Sequence, residues 1–97
     1  MIRHIVMFKV KEENKASICS DIKQQLASLP NKISHIKHFE IGINEKESDR
    51  AYDMVLNSSF DSWEDLSTYA NHEAHLEVVA FIKQHCDKTR VVDFTDE

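Results

Sequence analysis

The chain has 97 residues, of which 41% are hydrophobic and 30% charged, and its formal net charge is −5. This length supports one domain, residues 1–97, and a chain this small buries too little surface to be more than marginally stable by itself. The acidic balance and singly scattered basic residues disfavour nucleic acid or an anionic membrane as partner, and no apolar run approaches the roughly 20 residues that span a bilayer.

Residues 2–10 alternate, with Ile2, His4, Val6, Phe8 and Val10 on one side and Arg3, Ile5, Met7 and Lys9 on the other. This is the period of a strand. Large apolar side chains occupy both sides, so neither face is expected to meet water. The opening lacks a small-residue cleavage pattern and reads as structure, not as a signal peptide. Ile18, Ile22, Leu26 and Leu29 predict a helix over 15–29. Asn14 is its expected N-cap and Pro30 its stop. Residues 35–44 place Phe39, Ile41 and Ile43 on one face, and Gly42 on the other face signals a bulge or a close backbone approach. A polar loop follows, then a strand over 51–60. Asp61 or Ser62 should cap a short helix whose stripe is Trp63, Leu66 and Tyr69/Ala70, with Trp63 in the core. A further helix is expected over 74–87, with Leu76, Val79, Ala80, Ile82/Lys83 and Cys86 around it. "TRVVDF" reads as the last strand. Cys19 and Cys86 both fall in helical patterns and are expected to be reduced, unpaired thiols of a cytoplasmic protein.

The order β-α-β-β-α-α-β predicts an α+β, ferredoxin-like fold, a four-stranded antiparallel sheet with its helices on one face. The other face would carry Ile5, Met7, Val55 and either Val91 or Val92. A patch of that kind marks an interface, and a second copy related by a two-fold axis is the economical cover. Ile5 and Met7 are therefore the expected homodimer-interface residues.

"TYANHEAHLEV", residues 68–78, places Tyr69, His72 and His75 at the join of two helices. Imidazole titrates near neutrality and suits general-base work; a phenol can donate to a developing enolate oxygen. The same residues have a structural use, since a histidine at a helix start can cap and a tyrosine on an apolar stripe can pack. His4 interrupts an apolar face, and burying its ring requires a partner. It is either a satisfied core histidine or part of the same cavity as His75. His72 and His75 stand at i, i+3, and His4 could join them around a metal. The run has no clear third ligand, so neither a metal nor a cofactor is expected. His35, His38 and His85 are assigned to the surface.

The opening H-I-V-x-F-K, the stretch "FEIGINEKESDRAYDMVLNSSF", the Tyr-x-x-His-x-x-His run and the closing Val-Val-Asp-Phe together resemble the stress-responsive dimeric α/β-barrel (Dabb) family over nearly the whole chain. The resemblance implies two subunits packing their sheets into one barrel, and a pocket between sheet and helices. Some members of that family are plant stress proteins. A few are polyketide cyclases in which a histidine base and a tyrosine close a linear chain by aldol chemistry. Carried over by position, the base falls on His75 and the tyrosine on Tyr69, with His4, Met54 and His72 as pocket residues. Met54 stands where the cyclases have a histidine, and Glu73 where a proline is common; both are departures. The expected function is the binding of a small apolar or carbonyl-bearing molecule by a homodimer. The alternatives are a metal-independent cyclase-like lyase and a non-catalytic structural stress protein.

Overall fold

The structure, a computed structural model, describes residues 1–96; Glu97, the last residue of the expected domain, lies outside the described residues. Its elements are β1 (Ile2–Val10), α1 (Lys15–Ala27), a 3₁₀ turn (Leu29–Asn31), β2 (His38–Ile43), β3 (Met54–Phe60), α2 (Trp63–Asn71), α3 (Glu73–His85) and β4 (Cys86–Thr95). The strands form one antiparallel sheet in the order β2-β3-β1-β4. This is the expected ferredoxin-like arrangement, with β1 in the interior.

Paired residues on neighbouring strands share a face, so the register sorts the side chains. Ile2, Phe8 and Val10 of β1 join Met54, Leu56 and Phe60 of β3 in the core, beneath Cys19, Ile22 and Leu26 of α1, Leu66 and Tyr69 of α2, and Val78 and Ile82 of α3. The opposite face carries Ile5 and Met7, and beside them Val55, Val92 and Phe94. Met7 is 41% exposed and Val92 61%. Val92 pairs with Ile5, whereas Val91 pairs with Val6 on the helix side, which decides between the two valines. Phe94, opposite Arg3, adds to this face. Gly42 is opposite Val55 in an unbroken register. A Cβ there would meet Val55 Cγ1 at 3.2 Å, so the glycine serves a close approach and not a bulge.

Several local expectations need correction. Asn14 adopts φ 57°, ψ 34° and makes no side-chain cap bond. It turns the chain into α1 through the left-handed conformation that asparagine tolerates. The helix ends at Ala27, and Pro30 lies within the 3₁₀ turn. Of the two expected caps of α2, Ser62 is the one in place, accepting from the Asp65 N–H at 3.0 Å. Trp63 is 52% exposed, because the stripe of α2 turns inward only from Leu66 and its first residue overhangs the core. Leu76 is also 52% exposed. The buried stripe of α3 runs through Ala74 and His75 to Val78, then Phe81 and Ile82, so that of the expected apolar positions Ile82 is buried while Leu76 and Ala80 face outward. Cys86 begins β4 instead of ending a helix. Both cysteines are buried and free, and burial pushes the Cys86 thiol up to about 11.

Candidate functional site

Strand parity turns His4 to the helix side, level with Ser58 on β3 and Asp93 on β4. The Ser58 hydroxyl donates to the His4 carbonyl oxygen at 2.9 Å. The ring has its own partner, since His4 Nδ1 lies 2.5 Å from Asp93 Oδ1. An ionised carboxylate only accepts, so the Nδ1–H donates to it and Nε2 is left on the far side of the ring. The His4 side chain keeps 15% of its exposure and that of Asp93 34%.

Tyr69 occupies the buried stripe of α2, three residues after Leu66, and is 1% exposed. Its ring is packed among four others. The centroid distances are 5.0 Å to Phe60, 6.2 Å to Phe39, 6.1 Å to His4 and 4.3 Å to His75. Among the described residues, its hydroxyl is the one buried side-chain nitrogen or oxygen without a hydrogen-bond partner. Burial holds its phenol well above the ordinary value, so it is a neutral hydroxyl at physiological pH.

His75 enters from α3. Its position on the stripe with Val78 and Ile82 turns the ring inward over Tyr69, while the helix start leaves it only half-buried. Nδ1–H donates to the Ala70 carbonyl oxygen at 2.9 Å. Burial lowers the pKa of the imidazole; the Ala70 bond opposes this, and His4 and His72 add to it. The result is a neutral ring with its Nε2 lone pair free, the form a general base takes.

Tyr69, His75 and His4 therefore stand together as expected; two other candidates do not join them. His72 is the N-cap of α3, its Nδ1 accepting from the Ala74 N–H at 3.0 Å. That bond fixes the join between the two helices and so the position of His75. Met54 is opposite Phe8, four residues along the strands from the His4–Ser58 pair, about 13 Å away. It is a core residue at the other end of the sheet, where it also lines a cleft with Arg50 and Tyr52. Among the described residues no three His, Cys, Asp or Glu side chains gather as a metal-holding group. Asp93 was not identified from the sequence. The signal available was the need of a buried His4 for a partner, but naming it required the β1–β4 register.

The sequence profile of the family described as Stress responsive A/B Barrel Domain matches residues 2–96. A stress-response A/B barrel domain-containing protein of Arabidopsis thaliana is 31% identical over 96 residues, which are 97% of this chain and 36% of that protein. The chain thus spans about a third of that plant protein's length. A dimeric protein of unknown function and ferredoxin-like fold from Bacteroides fragilis superposes with a TM-score of 0.88 at 27% identity, covering 98% of this chain and 95% of the other. A hydroxynitrile lyase from Passiflora edulis shares the fold, with a TM-score of 0.87 at 22% identity and coverage of 99% and 93%. No helix among the described residues is long and apolar enough to cross a membrane. With the profile spanning 95 residues and the β-α-β-β-α-α-β sheet in place, the chain belongs to the stress responsive A/B barrel domain family.

Proposed function

We propose that the chain works as a homodimer and binds a small, largely apolar molecule that carries a hydroxyl or an enolisable carbonyl, at the cluster of Tyr69, His75 and His4. One observation carries the reading: a fully buried tyrosine hydroxyl without a partner, on a ring that packs against two imidazoles. An unsatisfied buried hydroxyl costs about 1–3 kcal/mol, and a ligand oxygen would recover that. Phe39 and Phe60 supply the apolar walls of such a site. A reducing, cytoplasmic setting suits the two buried thiols.

A second reading, acid–base chemistry in the same place, is favoured by the state of His75. A proton flanked by carbonyls can pass to its free Nε2 while the neutral Tyr69 hydroxyl donates to the enolate oxygen that develops. Relatives in fold include a lyase, so the scaffold is compatible with chemistry of this kind. The two readings separate in one experiment. Binding of a simple β-diketone is followed by NMR, together with proton–deuterium exchange at its central carbon. Binding and accelerated exchange should both be seen in the wild type, and His75→Ala should abolish the acceleration. Binding without acceleration leaves a carrier; neither effect refutes both readings.

The dimer rests on the exposed apolar sheet face and on the dimeric neighbours in fold. Met7→Asp places a charge at the middle of that face and should yield monomer or unfolded chain in sedimentation. A well-folded mutant dimer would mean that the interface lies elsewhere.

A further inference from the structure

We infer that Asp93 is a positioning residue of this site: its carboxylate holds His4 in the tautomer protonated at Nδ1, so that both imidazoles offer lone pairs and the site selects neutral hydrogen-bond donors over anions. The inference rests on the preceding reading of the Tyr69 cluster as a binding site, and it adds a residue and a ligand class. The geometry is a chain of three groups drawn from three elements. Asp93 on β4 meets His4 Nδ1 on β1 at 2.5 Å, and the His4 ring stands edge-on to Tyr69 of α2 at 6.1 Å. In a free imidazole neither tautomer is held strongly, and the one in place follows from whichever bond the other nitrogen makes. Here Asp93 makes that bond from the partly exposed edge of the sheet, while the His4 ring stays largely covered.

The consequence concerns chemical complementarity. His75 has committed its Nδ1–H to the Ala70 carbonyl, and His4 has committed its own to Asp93. Each ring then presents Nε2 as an acceptor, and the Tyr69 hydroxyl is the remaining donor. A carboxylate or phosphate ligand would face two lone pairs with a fixed anion behind one of them. A phenol or an enol would instead donate to an imidazole and accept from Tyr69. Aromatic walls from Phe39 and Phe60 suit a planar ring.

The test begins without a ligand. Long-range proton–nitrogen NMR of the imidazoles, above the ordinary titration range of histidine, reads which nitrogen carries the proton. The wild type should show His4 protonated at Nδ1 alone. Asp93→Leu should shift it toward the Nε2-protonated tautomer with the fold retained, since Asp93 is on an edge strand. A wild-type His4 protonated at Nε2 or at both nitrogens, or a tautomer unchanged in Asp93→Leu, overturns the proposal. Titration of the wild type with phenol and with benzoate then tests the ligand class. Phenol should bind the more tightly, and Asp93→Leu should weaken phenol by about tenfold, the worth of one hydrogen bond. Benzoate binding as well as phenol overturns the selectivity. If neither probe binds, the reading of the cluster as a binding site fails while the tautomer result still decides the role of Asp93.

Discussion

The two ends of β1 treat buried polarity in opposite ways. At its C-terminal end Asp53 lies under a cleft of about 680 Å³, lined also by Lys9, Glu12, Lys15 and Cys19. Its carboxylate accepts from the Val10 N–H at 2.7 Å and meets Lys15 Nζ at 3.2 Å, and Lys15 in turn reaches Glu12 at 3.0 Å. Each of Asp53, Lys15 and Glu12 has a partner. Six residues back along the strand, about 20 Å away, His4 packs against the Tyr69 ring, whose hydroxyl has no partner. Satisfied polarity locks the loop before β3 onto β1, whereas the unsatisfied hydroxyl stores a cost in the folded state. The larger cleft is therefore the structural end of the sheet, and the tighter aromatic cluster is the end with unused hydrogen-bonding capacity.

Asp53 should give the largest effect. Asp53→Ala leaves the N–H of Val10 without its acceptor, on a residue that is buried, and frees Lys15 from one of its two anions. The expected loss is about 2–3 kcal/mol, read as a lower urea midpoint. Asp53→Asn keeps an oxygen for Val10 and removes the ion pair with the partly exposed Lys15, so it should cost less than about 1 kcal/mol. Equal losses in the two variants would show that the ion pair, and not the backbone bond, holds this end.

At the other end the sign reverses. Tyr69→Phe keeps the ring and its four aromatic neighbours and deletes only the orphan hydroxyl. Without ligand the variant should be as stable as the wild type or more stable by about 1 kcal/mol, while binding of a hydroxyl-bearing ligand falls. A clear loss of stability would mean that the hydroxyl has a partner in solution, and the contrast between the two ends would collapse.

How much of this was legible beforehand follows from the range of the interactions. The element order and the two-sided apolar character of β1 are local patterns of period 2 and 3.6, and they carried over to the sheet and to its exposed face. His75 follows from the Tyr-x-x-His-x-x-His run at the join of two helices, a local motif, whereas the buried face of α3 through Val78 and Ile82 does not follow from apolar residues spread around the helix. α3 has more apolar positions than one stripe needs, so its phase was fixed by packing against α1 and the sheet. Trp63 failed for a related reason: its spacing from Leu66 is right, but the stripe runs beyond the core. Asp93 and the separation of Met54 from His4 depend on register between strands distant in sequence, which no local period encodes. The role of His72 depended on whether its ring reaches the Ala74 N–H, a matter of rotamer and not of sequence.

The smallest expected effect is a pH dependence confined to the aromatic end. The His75 imidazole has a folded-state pKa below its ordinary 6.5, mainly through burial. Between that depressed value and 6.5 the unfolded chain binds more protons than the folded one. Stability therefore rises with pH through this window, is fully present above 6.5, and is lost as pH falls through the folded value. The bond to the Ala70 carbonyl oxygen opposes the depression of this pKa, and the charges of His4 and His72 add to it. His75→Phe keeps an aromatic ring over Tyr69 and removes one titrating group, leaving every carboxylate in place. Urea midpoints at about pH 5 and about pH 7.5 should differ less in this variant than in the wild type. An unchanged pH difference in His75→Phe would place that imidazole in solvent, and Tyr69 would then lack the neighbour on which its reading as a site depends.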